Sequence, residues 1–300
     1  MSRVVAFIKL GRPLFLGGGF ILFGLGAAIA AAFGHPIDGT RYALGQAAVT
    51  AFQLMTHYAN DYFDYDADVA NATPTKWSGG SRVLPEGLLP RRVALVAALV
   101  LAALGIAATI GLAALGTGSW SAPTLALVLV LAWTYSAPPL RLCARGLGEL
   151  DTALVVTVLV PWLGFYLQAP DLRGADQLAL TIVPLALLQF AMLVAIEFPD
   201  AAGDAATGKR TLVVALGARR AAQLYVAVTG AAFVWPVVAL ALGLPARVAV
   251  VMLVPAPVAV WRIVRIREHA NRAAFERLTF SAVFLIVATS SSALIAWLTA

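Results

Sequence analysis

Charged residues, cysteine and long polar segments are scarce in this sequence. Only 12% of its 300 residues are charged, whereas 61% are hydrophobic, and this balance excludes an ordinary soluble domain. The longest segment between apolar runs lies around residues 61–92, and it is too short to form a soluble domain of its own. The single cysteine, Cys143, excludes an intramolecular disulfide, and without neighbouring ligands it is interpreted as a filler residue.

Apolar runs long enough to cross a bilayer fill most of the chain. A helix needs about 20 apolar residues to cross the hydrocarbon core. The sequence therefore predicts an all-α integral membrane protein, a nine-transmembrane-helix bundle that forms a single domain over residues 1–300. Because eight such runs follow the first, we expect the first to be a membrane helix and not a cleaved leader. The predicted helices cover residues 14–33, 42–60, 93–115, 120–137, 151–168, 177–198, 221–242, 246–263 and 278–299.

Lysine and arginine are distributed unevenly between the two sides of this predicted bundle. Cytoplasmic loops hold the excess of these residues, and here the N-terminus and alternate loops carry all but three of the 21. We therefore expect a cytoplasmic N-terminus, an external C-terminus and a location in the cell (plasma) membrane. The net charge of +6 reflects this topology and contact with membrane lipid, and it predicts no nucleic-acid partner. The predicted cytoplasmic residues are Arg3, Lys9, Arg12, Lys76, Arg82, Arg91, Arg92, Arg141, Arg145, Lys209, Arg210, Arg219, Arg220, Arg262, Arg265, Arg267, Arg272 and Arg277, and the predicted external ones are Arg41, Arg173 and Arg247.

An acidic cluster follows the second predicted helix. His57, Asn60, Asp61, Asp64 and Asp68 recur at spacings of three and four residues, so a helix that continues past residue 60 would carry them on one face. Like charges at these spacings repel one another, so stability alone does not explain them. Charged groups near the polar boundary of a membrane usually line a wet cavity. Because carboxylates are the ligands that Mg²⁺ prefers, the cluster predicts a site for a divalent cation.

A second acidic cluster follows the sixth predicted helix. Glu197, Asp200 and Asp204 again lie three and four residues apart, and Lys209 and Arg210 follow shortly after them. A single acidic run at a helix end is usually a solvated loop. Two runs with the same Asp-x-x-x-Asp spacing, both on the predicted cytoplasmic side, instead favour a functional site.

Basic residues accompany both clusters. Lys76 and Arg82 follow the first cluster as Lys209 and Arg210 follow the second, and the Gly79–Gly80 pair would let backbone N–H groups approach a phosphate. Mg²⁺ usually binds through a few carboxylates and a substrate phosphate rather than in an all-protein cage. Two facing aspartate groups with nearby cations therefore predict a site for a diphosphate that is neutralised by bridging Mg²⁺ ions.

These motifs resemble those of the UbiA superfamily of intramembrane prenyltransferases. The sequence Asn60-Asp61-x-x-Asp64-x-x-x-Asp68 is similar to the first signature of that family, and Asp200-x-x-x-Asp204 is similar to the second. The pair Arg12-Pro13 and the segment Tyr135-Ser-Ala-Pro-Pro-Leu-Arg141 add to the resemblance, which covers essentially the whole chain. It implies transfer of a polyprenyl group from its diphosphate to a small aromatic acceptor, with Mg²⁺ as the cofactor.

The resemblance also implies roles for individual residues. Tyr135 would face the reacting allylic carbon, where an aromatic ring stabilises a cation. The alternative is that Tyr135 is one of the aromatic residues that lie at the membrane–water interface. Arg12 would bind an acceptor carboxylate or a phosphate. The alternative is that its positive charge only sets the orientation of the chain in the membrane. The resemblance assigns catalysis to Asp61, Asp64, Asp68, Asp200, Asp204 and Tyr135. It assigns the metal to Asn60, Asp61, Asp64, Asp68, Asp200 and Asp204, and the substrates to Asn60, Lys76, Arg82, Lys209, Arg210, Arg12 and Arg141.

The acceptor is predicted from shorter stretches. Asn60-Asp-Tyr-Phe-Asp-Tyr65 and Gly79-Gly-Ser-Arg-Val-Leu-Pro-Glu-Gly87 look like the menaquinone-type members of the family, which prenylate 1,4-dihydroxy-2-naphthoate. Ile196-Glu-Phe-Pro199 departs from the Asn-Asn-x-Arg stretch of many of those enzymes. The alternatives are the same chemistry on 4-hydroxybenzoate, a chlorophyllide, homogentisate or a glycerol phosphate ether, or a cation-coupled membrane transporter. Because transporter acids tend to lie near the bilayer midplane, the clusters at predicted helix ends favour the enzyme.

The group that removes the acceptor's proton has five candidates near the proposed site. For His57, the alternative to proton removal is a hydrogen-bonding role in its helix. For Glu149, the alternative is to cap the fifth predicted helix beside Arg145. The five candidates are Glu149, Asp151, Asp66, His57 and Glu197.

Overall fold

The computed structural model describes residues 1–266 and 272–300, and these described residues form helices and connecting turns without strands. The first half contains α1 (Arg3–Leu10), α2 (Pro13–Ala32), α3 (Gly39–Phe63), α4 (Tyr65–Ala70), α5 (Arg91–Ala114) and α6 (Ser121–Thr134). A π-helical turn, Val155–Leu159, joins α7 (Gly148–Leu154) to α8 (Val160–Tyr166). The rest comprises α9 (Ala175–Glu197), α10 (Ala201–Ala206), α11 (Leu212–Leu216), α12 (Ala218–Ala241), α13 (Ala246–Met252), α14 (Ala256–Val264) and α15 (Arg272–Leu298).

Seven helical stretches in the described part of the chain are long and apolar enough to cross a membrane. They are Pro13–Ala32, Arg91–Ala114, Gly148–Tyr166, Ala175–Glu197, Ala218–Ala241, Ala246–Val264 and Ala273–Leu298. The helix α6 is apolar but has only 14 residues. The helix α3 has 25 residues but carries polar and charged side chains along much of its length. All nine predicted stretches are largely helical, yet the length and polarity of the described helices support seven crossings and leave the count of nine unconfirmed.

Small residues allow two of the central helices to touch at the backbone. A Cβ atom added to Gly26 of α2 would lie 1.9 Å from the carbonyl oxygen of Pro161, and one added to Gly164 of α8 would lie 2.1 Å from the carbonyl oxygen of Phe23. Helices in lipid gain little from hydrophobic contact with each other, so close backbone packing through small residues is a main source of their association. Substitution of either glycine would force α2 and α8 apart.

The apolar surface follows the position of each helix in the bundle. The helix α9 is largely buried, with Leu185, Leu188 and Val194 in the core. The helix α5 instead exposes Leu99 and Leu104 along its outer face, together with several valines and isoleucines. A soluble protein would not expose such a continuous apolar face, whereas lipid covers it without cost. The helix surfaces therefore agree with the composition in indicating an integral membrane protein.

The acidic end of α3 differs from a simple continued helix. The helix ends at Phe63, and Asp64 caps it before the short helix α4 begins at Tyr65.

The last helix begins at Arg272, earlier than the predicted residue 278. Of the basic residues used to predict topology, Arg267 and the side chain of Arg272 lie outside the described part of the structure.

Candidate functional site

The end of α3 holds a buried carboxylate between two other segments. Asp61 is only 1% exposed and pairs with the guanidinium of Arg12, which precedes α2. The backbone N–H of Ser81 donates to Asp61 Oδ2 at 3.2 Å, and the Ser81 hydroxyl donates to the same oxygen. Arg12 also donates to Asn60 Oδ1 at 2.9 Å. A residue before α2 and a loop after α4 are thereby joined to the first acidic cluster.

Asp64 lies at the centre of the charged residues. Lys209 Nζ is 2.9 Å from Asp64 Oδ2, and Arg141 Nη2 is 3.8 Å from Asp64 Oδ1. The side-chain amide of Asn60 donates to Asp64 at 2.8 Å and to the hydroxyl of Ser136 at 3.0 Å. Buried carboxylates are stable only when charged or polar donors compensate them. Asp64 has such donors from both halves of the chain.

Cys143 also lies against Asp64. Its Sγ atom is 3.8 Å from Asp64 Oδ2, and its side chain is buried. Burial is the largest cause of the raised pKa of the Cys143 thiol, and the negative charge of Asp64 adds to it. The thiol is therefore a protonated, weak donor to this carboxylate rather than a nucleophile. The interpretation of Cys143 as filler missed this contact, because a lone cysteine carries no spacing signal.

Asp68 has one carboxylate oxygen that no described residue satisfies. Asp68 Oδ2 is buried without a hydrogen-bond partner, while Arg82 donates only to the backbone carbonyl of Asp68. Gly80 lies so close that an added Cβ would be 2.0 Å from Asp68 Oδ2. Burial, together with the charge of Asp61, raises the pKa of Asp68 to about 8. A buried oxygen without a donor is where a cation would be favourable.

The second acidic cluster lies beside the first, because the short helices α4 and α10 pack against each other. Asp200 accepts hydrogen bonds from the side chain of Asn71 at 2.7 Å and from the backbone N–H of Gly79 at 2.9 Å. Burial raises the pKa of Asp200 despite these donors. Asp204 Oδ1 lies 3.5 Å from Lys209 Nζ, and burial raises the pKa of Asp204 to about 6. Gly79 thus directs its N–H to Asp200 in this structure.

Lys209 connects the two clusters. Burial acts to lower the pKa of Lys209, but the negative charges around it, Asp64 first, raise that pKa well above its usual value. The surrounding carboxylates therefore favour the charged ammonium group, which lies between Asp64 and Asp204. Asn71, Ser81 and Ser136 complete the connections, and sequence reasoning missed all three as site residues.

Two predicted phosphate contacts lie away from this cluster. The Lys76 side chain is exposed and its ammonium lies 5.2 Å from the centre of the Trp77 ring. The Arg210 side chain is exposed, and only its backbone N–H is fixed, by a 3.0 Å bond to the carbonyl of Ala144. The structure brings together the other predicted site residues, including Arg12, Arg82, Arg141 and Lys209.

The donor set fits Mg²⁺ without forming a closed cage. Among residues 1–266 and 272–300, no three His, Cys, Asp or Glu side chains are arranged as a ready-made metal site. Most of the carboxylates instead bond to Arg12, Ser81, Asn71 or Lys209, and Asp68 Oδ2 is left without a donor. Mg²⁺ commonly uses one or two carboxylates, water and substrate phosphate. The arrangement fits that mode of binding.

An apolar cavity of about 500 Å³ lies beside the charged cluster. Arg12, Asn60 and Tyr135 line it, and the first two also bond to the acidic cluster. Most of the remaining wall consists of aliphatic and aromatic side chains from α2, α3, α6, α9 and α15. The charged cluster and the apolar cavity therefore share a boundary at Arg12 and Asn60.

The sequence pattern of one family, the UbiA prenyltransferase family, matches residues 20–286. The chain belongs to the UbiA prenyltransferase family. The resemblance inferred from the aspartate motifs is thereby confirmed, and it displaces the transporter alternative.

One characterised relative and several solved structures resemble the chain. The 1,4-dihydroxy-2-naphthoate octaprenyltransferase of Bacillus subtilis (strain 168) is 25% identical over 186 residues, which cover 62% of this chain and 58% of that enzyme. The chain therefore aligns with little more than half of that relative's length.

Three structures show the same fold at low identity. Digeranylgeranylglyceryl phosphate synthase has a TM-score of 0.70 at 14% identity, with 100% of both chains covered. A UbiA homologue from Aeropyrum pernix K1 has a TM-score of 0.65 at 19% identity, covering 90% of this chain and 96% of that one. A UbiA homologue from Archaeoglobus fulgidus bound to DMAPP and Mg²⁺ has a TM-score of 0.65 at 15% identity, covering 96% and 98%. These likenesses establish the UbiA fold for this chain.

In this UbiA-family chain, the five proton-acceptor candidates occupy different environments. Asp66 is exposed. Glu149 Oε1 accepts a 2.9 Å bond from the N–H of Leu212 at the start of α11, and Glu197 interacts with Glu149. These two acids therefore hold the segment that follows Lys209. His57 and Asp151 both line the cavity, and His57 Nδ1 bonds to the carbonyl of Gly11 at 2.8 Å.

Proposed function

We propose that this chain transfers a polyprenyl group from its diphosphate to an aromatic acceptor, with Mg²⁺ as the cofactor. The observation that carries the proposal is the convergence of both aspartate clusters on Lys209 beside an apolar cavity. A prenyl diphosphate has a highly charged head and an apolar tail, and the two halves of this site match those two parts. Two structures of a UbiA homologue from Archaeoglobus fulgidus, one bound to DMAPP and Mg²⁺ and one bound to GPP and Mg²⁺, support the same assignment.

The proposed head-group site consists of the two clusters and their cations. Asn60, Asp61, Asp64, Asp68, Asp200 and Asp204 would hold Mg²⁺ and, through it, the diphosphate. When bound, Mg²⁺ supplies positive charge that stabilises the leaving diphosphate oxygens. Lys209, Arg141, Arg82 and Arg12 add fixed positive charge at the same place, where a water-poor site strengthens it. Lys76 and Arg210 would reach the phosphates only through a change of side-chain conformation.

The proposed tail site is the apolar cavity. Exclusion of water there protects the allylic carbon, because a carbon that gains positive charge would otherwise react with water. Tyr135 lines this cavity and would place its aromatic face beside that carbon. Leu14, Phe280 and Phe284 line the cavity and are also exposed on the outer surface of α2 and α15. A long tail would therefore extend sideways between these two helices into lipid.

The proposed acceptor is 1,4-dihydroxy-2-naphthoate, in menaquinone biosynthesis. The Bacillus subtilis relative acts on this compound by name, and the segments around residues 60–65 and 79–87 agree with that branch. The remaining acceptors for the same chemistry are 4-hydroxybenzoate, a chlorophyllide, homogentisate and a glycerol phosphate ether. Each differs from the naphthoate in ring size or polarity, so product analysis separates them.

The proposed membrane arrangement has nine crossings in one domain over residues 1–300. In this arrangement α3 and α6 also cross, although α3 is polar and α6 is short. The uneven distribution of lysine and arginine supports a cytoplasmic N-terminus and an external C-terminus in the plasma membrane. Both aspartate clusters then face the cytoplasm, where the charged head group of a prenyl diphosphate and a polar acceptor are available.

A product assay tests the proposed function. The purified protein in lipid nanodiscs is supplied with Mg²⁺, a prenyl diphosphate and each acceptor in turn, and products are identified by mass spectrometry. We expect a prenylated, decarboxylated naphthoate, lost in Asp64→Asn and Asp200→Asn. The exposed Asp66→Asn serves as the matched control and should retain activity. A product from another acceptor corrects the branch, whereas the absence of transfer to every acceptor contradicts the proposal.

A further inference from the structure

Asp151 has an unusual position for a carboxylate. It lies within the membrane-spanning stretch Gly148–Tyr166 and lines the apolar cavity. Its side chain is 6% exposed, its Oδ1 atom is buried, and no described residue donates a hydrogen bond to it. A buried acid without a protein partner is costly, and acids within membrane-spanning segments usually mark a functional site.

The neighbouring residues place Asp151 about one helical turn from the contact with Tyr135, the residue proposed to face the reacting carbon. Gly148 packs against the ring of Tyr135, because an added Cβ would lie 3.2 Å from Tyr135 Cε2. Asp151 follows Gly148 by three residues, so it lies on the same helix face about 4.5 Å further along the axis. The π-helical turn Val155–Leu159 begins four residues later, and Val155 also lines the cavity. Such turns often occur at functional sites.

The other acids near the site do not face the cavity. Glu149 and Glu197 each also have one buried oxygen without a described partner, but they contact each other and the start of α11 and do not line the cavity. The aspartates of the two clusters belong to the head-group site. Ser290 Oγ in the same cavity is also buried without a described partner, but a neutral hydroxyl is a weak proton acceptor. His57 is held by Gly11 close to Arg12, on the head-group side. Asp151 is the carboxylate that the cavity presents to an acceptor ring.

We infer that Asp151 binds a hydroxyl group of the aromatic acceptor and takes its proton during transfer, an inference that rests on the proposed function. A ring carbon bonds to C1 of the prenyl group, while the C1–O bond breaks and its electron pair leaves with the diphosphate. The hydroxyl proton moves to Asp151, so the ring becomes a dienone.

The ring then regains aromaticity. The substituent on the attacked carbon leaves as a proton to the diphosphate or, from a carboxylate, as carbon dioxide. Its bonding electrons return to the ring oxygen, which recovers the proton from Asp151. The carboxylate is regenerated, and no oxidant or reductant is needed. The hydroxyl thus becomes more electron-donating only while the ring is attacking.

A paired comparison of proteins and acceptors tests this role. Wild-type protein and Asp151→Asn are assayed in nanodiscs with Mg²⁺, geranyl diphosphate, and either a dihydroxynaphthoate or its methyl ether at the reacting hydroxyl. We expect Asp151→Asn to slow transfer to the free hydroxyl about 100-fold, as for loss of a general base. The methyl ether should react slowly and equally in both proteins. Asp151→Glu should recover part of the activity, and the exposed carboxyl variant Asp176→Asn should match wild type.

Each other outcome is decisive. Equal transfer by wild type and Asp151→Asn to the free hydroxyl overturns the role of Asp151 but leaves the proposed function standing. So does a loss that affects both acceptors equally and also weakens geranyl diphosphate binding, because that pattern indicates a structural role. If wild-type protein binds geranyl diphosphate but transfers it to no acceptor, the proposed function fails and this inference fails with it.

Discussion

Lys209 Nζ lies 2.9 Å from Asp64 Oδ2, and this ion pair joins two motifs that are 145 residues apart in the sequence. The same ammonium lies 3.5 Å from Asp204. The pair holds the loop after α10 against the end of α3. It therefore assembles the proposed diphosphate site and at the same time stabilises a carboxylate that is 4% exposed.

Removal of Lys209 should therefore affect activity and stability together. Lys209→Met leaves Asp64 buried without its closest cation, a change that typically costs about 3–5 kcal/mol. We expect a lower unfolding temperature in detergent and a loss of transfer of about 10²–10³-fold. The double variant Asp64→Asn with Lys209→Met should regain part of the stability but none of the activity. A double variant no more stable than Lys209→Met would contradict the coupling.

A matched pair of glycine substitutions tests the close approach to Asp68. Gly80 and Gly87 have φ values of 71° and 69°, so alanine at either position carries a similar backbone strain of about 1–2 kcal/mol. Only at Gly80 would the new Cβ meet Asp68, 2.0 Å from Oδ2, whereas at Gly87 nothing lies within 4 Å. Gly80→Ala should lose Mg²⁺-dependent transfer and Gly87→Ala should keep it. Equal activity in the two variants would show that this approach has no functional role.

The raised pKa values predict how stability depends on pH. Asp68 has a pKa of about 8 and Asp204 one of about 6 in the folded protein, against about 4 in an unfolded chain. Between pH 4 and pH 8 the folded state binds more protons, so the free energy of unfolding falls as pH rises. The metal-free protein should therefore unfold at a lower temperature at pH 9 than at pH 5. Asp68→Asn should flatten the upper part of this dependence and Asp204→Asn the lower part.

Mg²⁺ should have the opposite dependence. The metal binds the deprotonated carboxylates, so its stabilising effect in the presence of a diphosphate should grow as pH rises through the same range. Unfolding temperatures measured with EDTA and with Mg²⁺ plus inorganic diphosphate separate the two effects. A metal-free protein whose stability increases from pH 5 to pH 9 would contradict the assignment of protonated carboxyls at this site.

The sequence predicted the helices and the aspartate clusters because both follow from local patterns. Apolar runs located each long helix, although the last one begins six residues earlier than predicted. Repeated three- and four-residue spacings drew attention to Asp64 and Asp204. The partners Ser81, Asn71 and Ser136 carry no such pattern, since only the tertiary fold brings them to the aspartates. Lys76 and Arg210 show the converse, because a cation next to a motif in the sequence need not point toward the site in space.

Direct binding of a non-transferable prenyl diphosphate analogue tests the central claim. Isothermal titration of geranyl thiolodiphosphate into the nanodisc-embedded protein would compare wild type, Asp64→Asn, Asp200→Asn and the exposed control Asp66→Asn, each with Mg²⁺ and with EDTA. We predict binding that requires Mg²⁺ in wild type and Asp66→Asn and is lost in the other two variants. Binding that is equally strong without Mg²⁺, or unchanged in Asp64→Asn and Asp200→Asn, would contradict a diphosphate site built from both clusters.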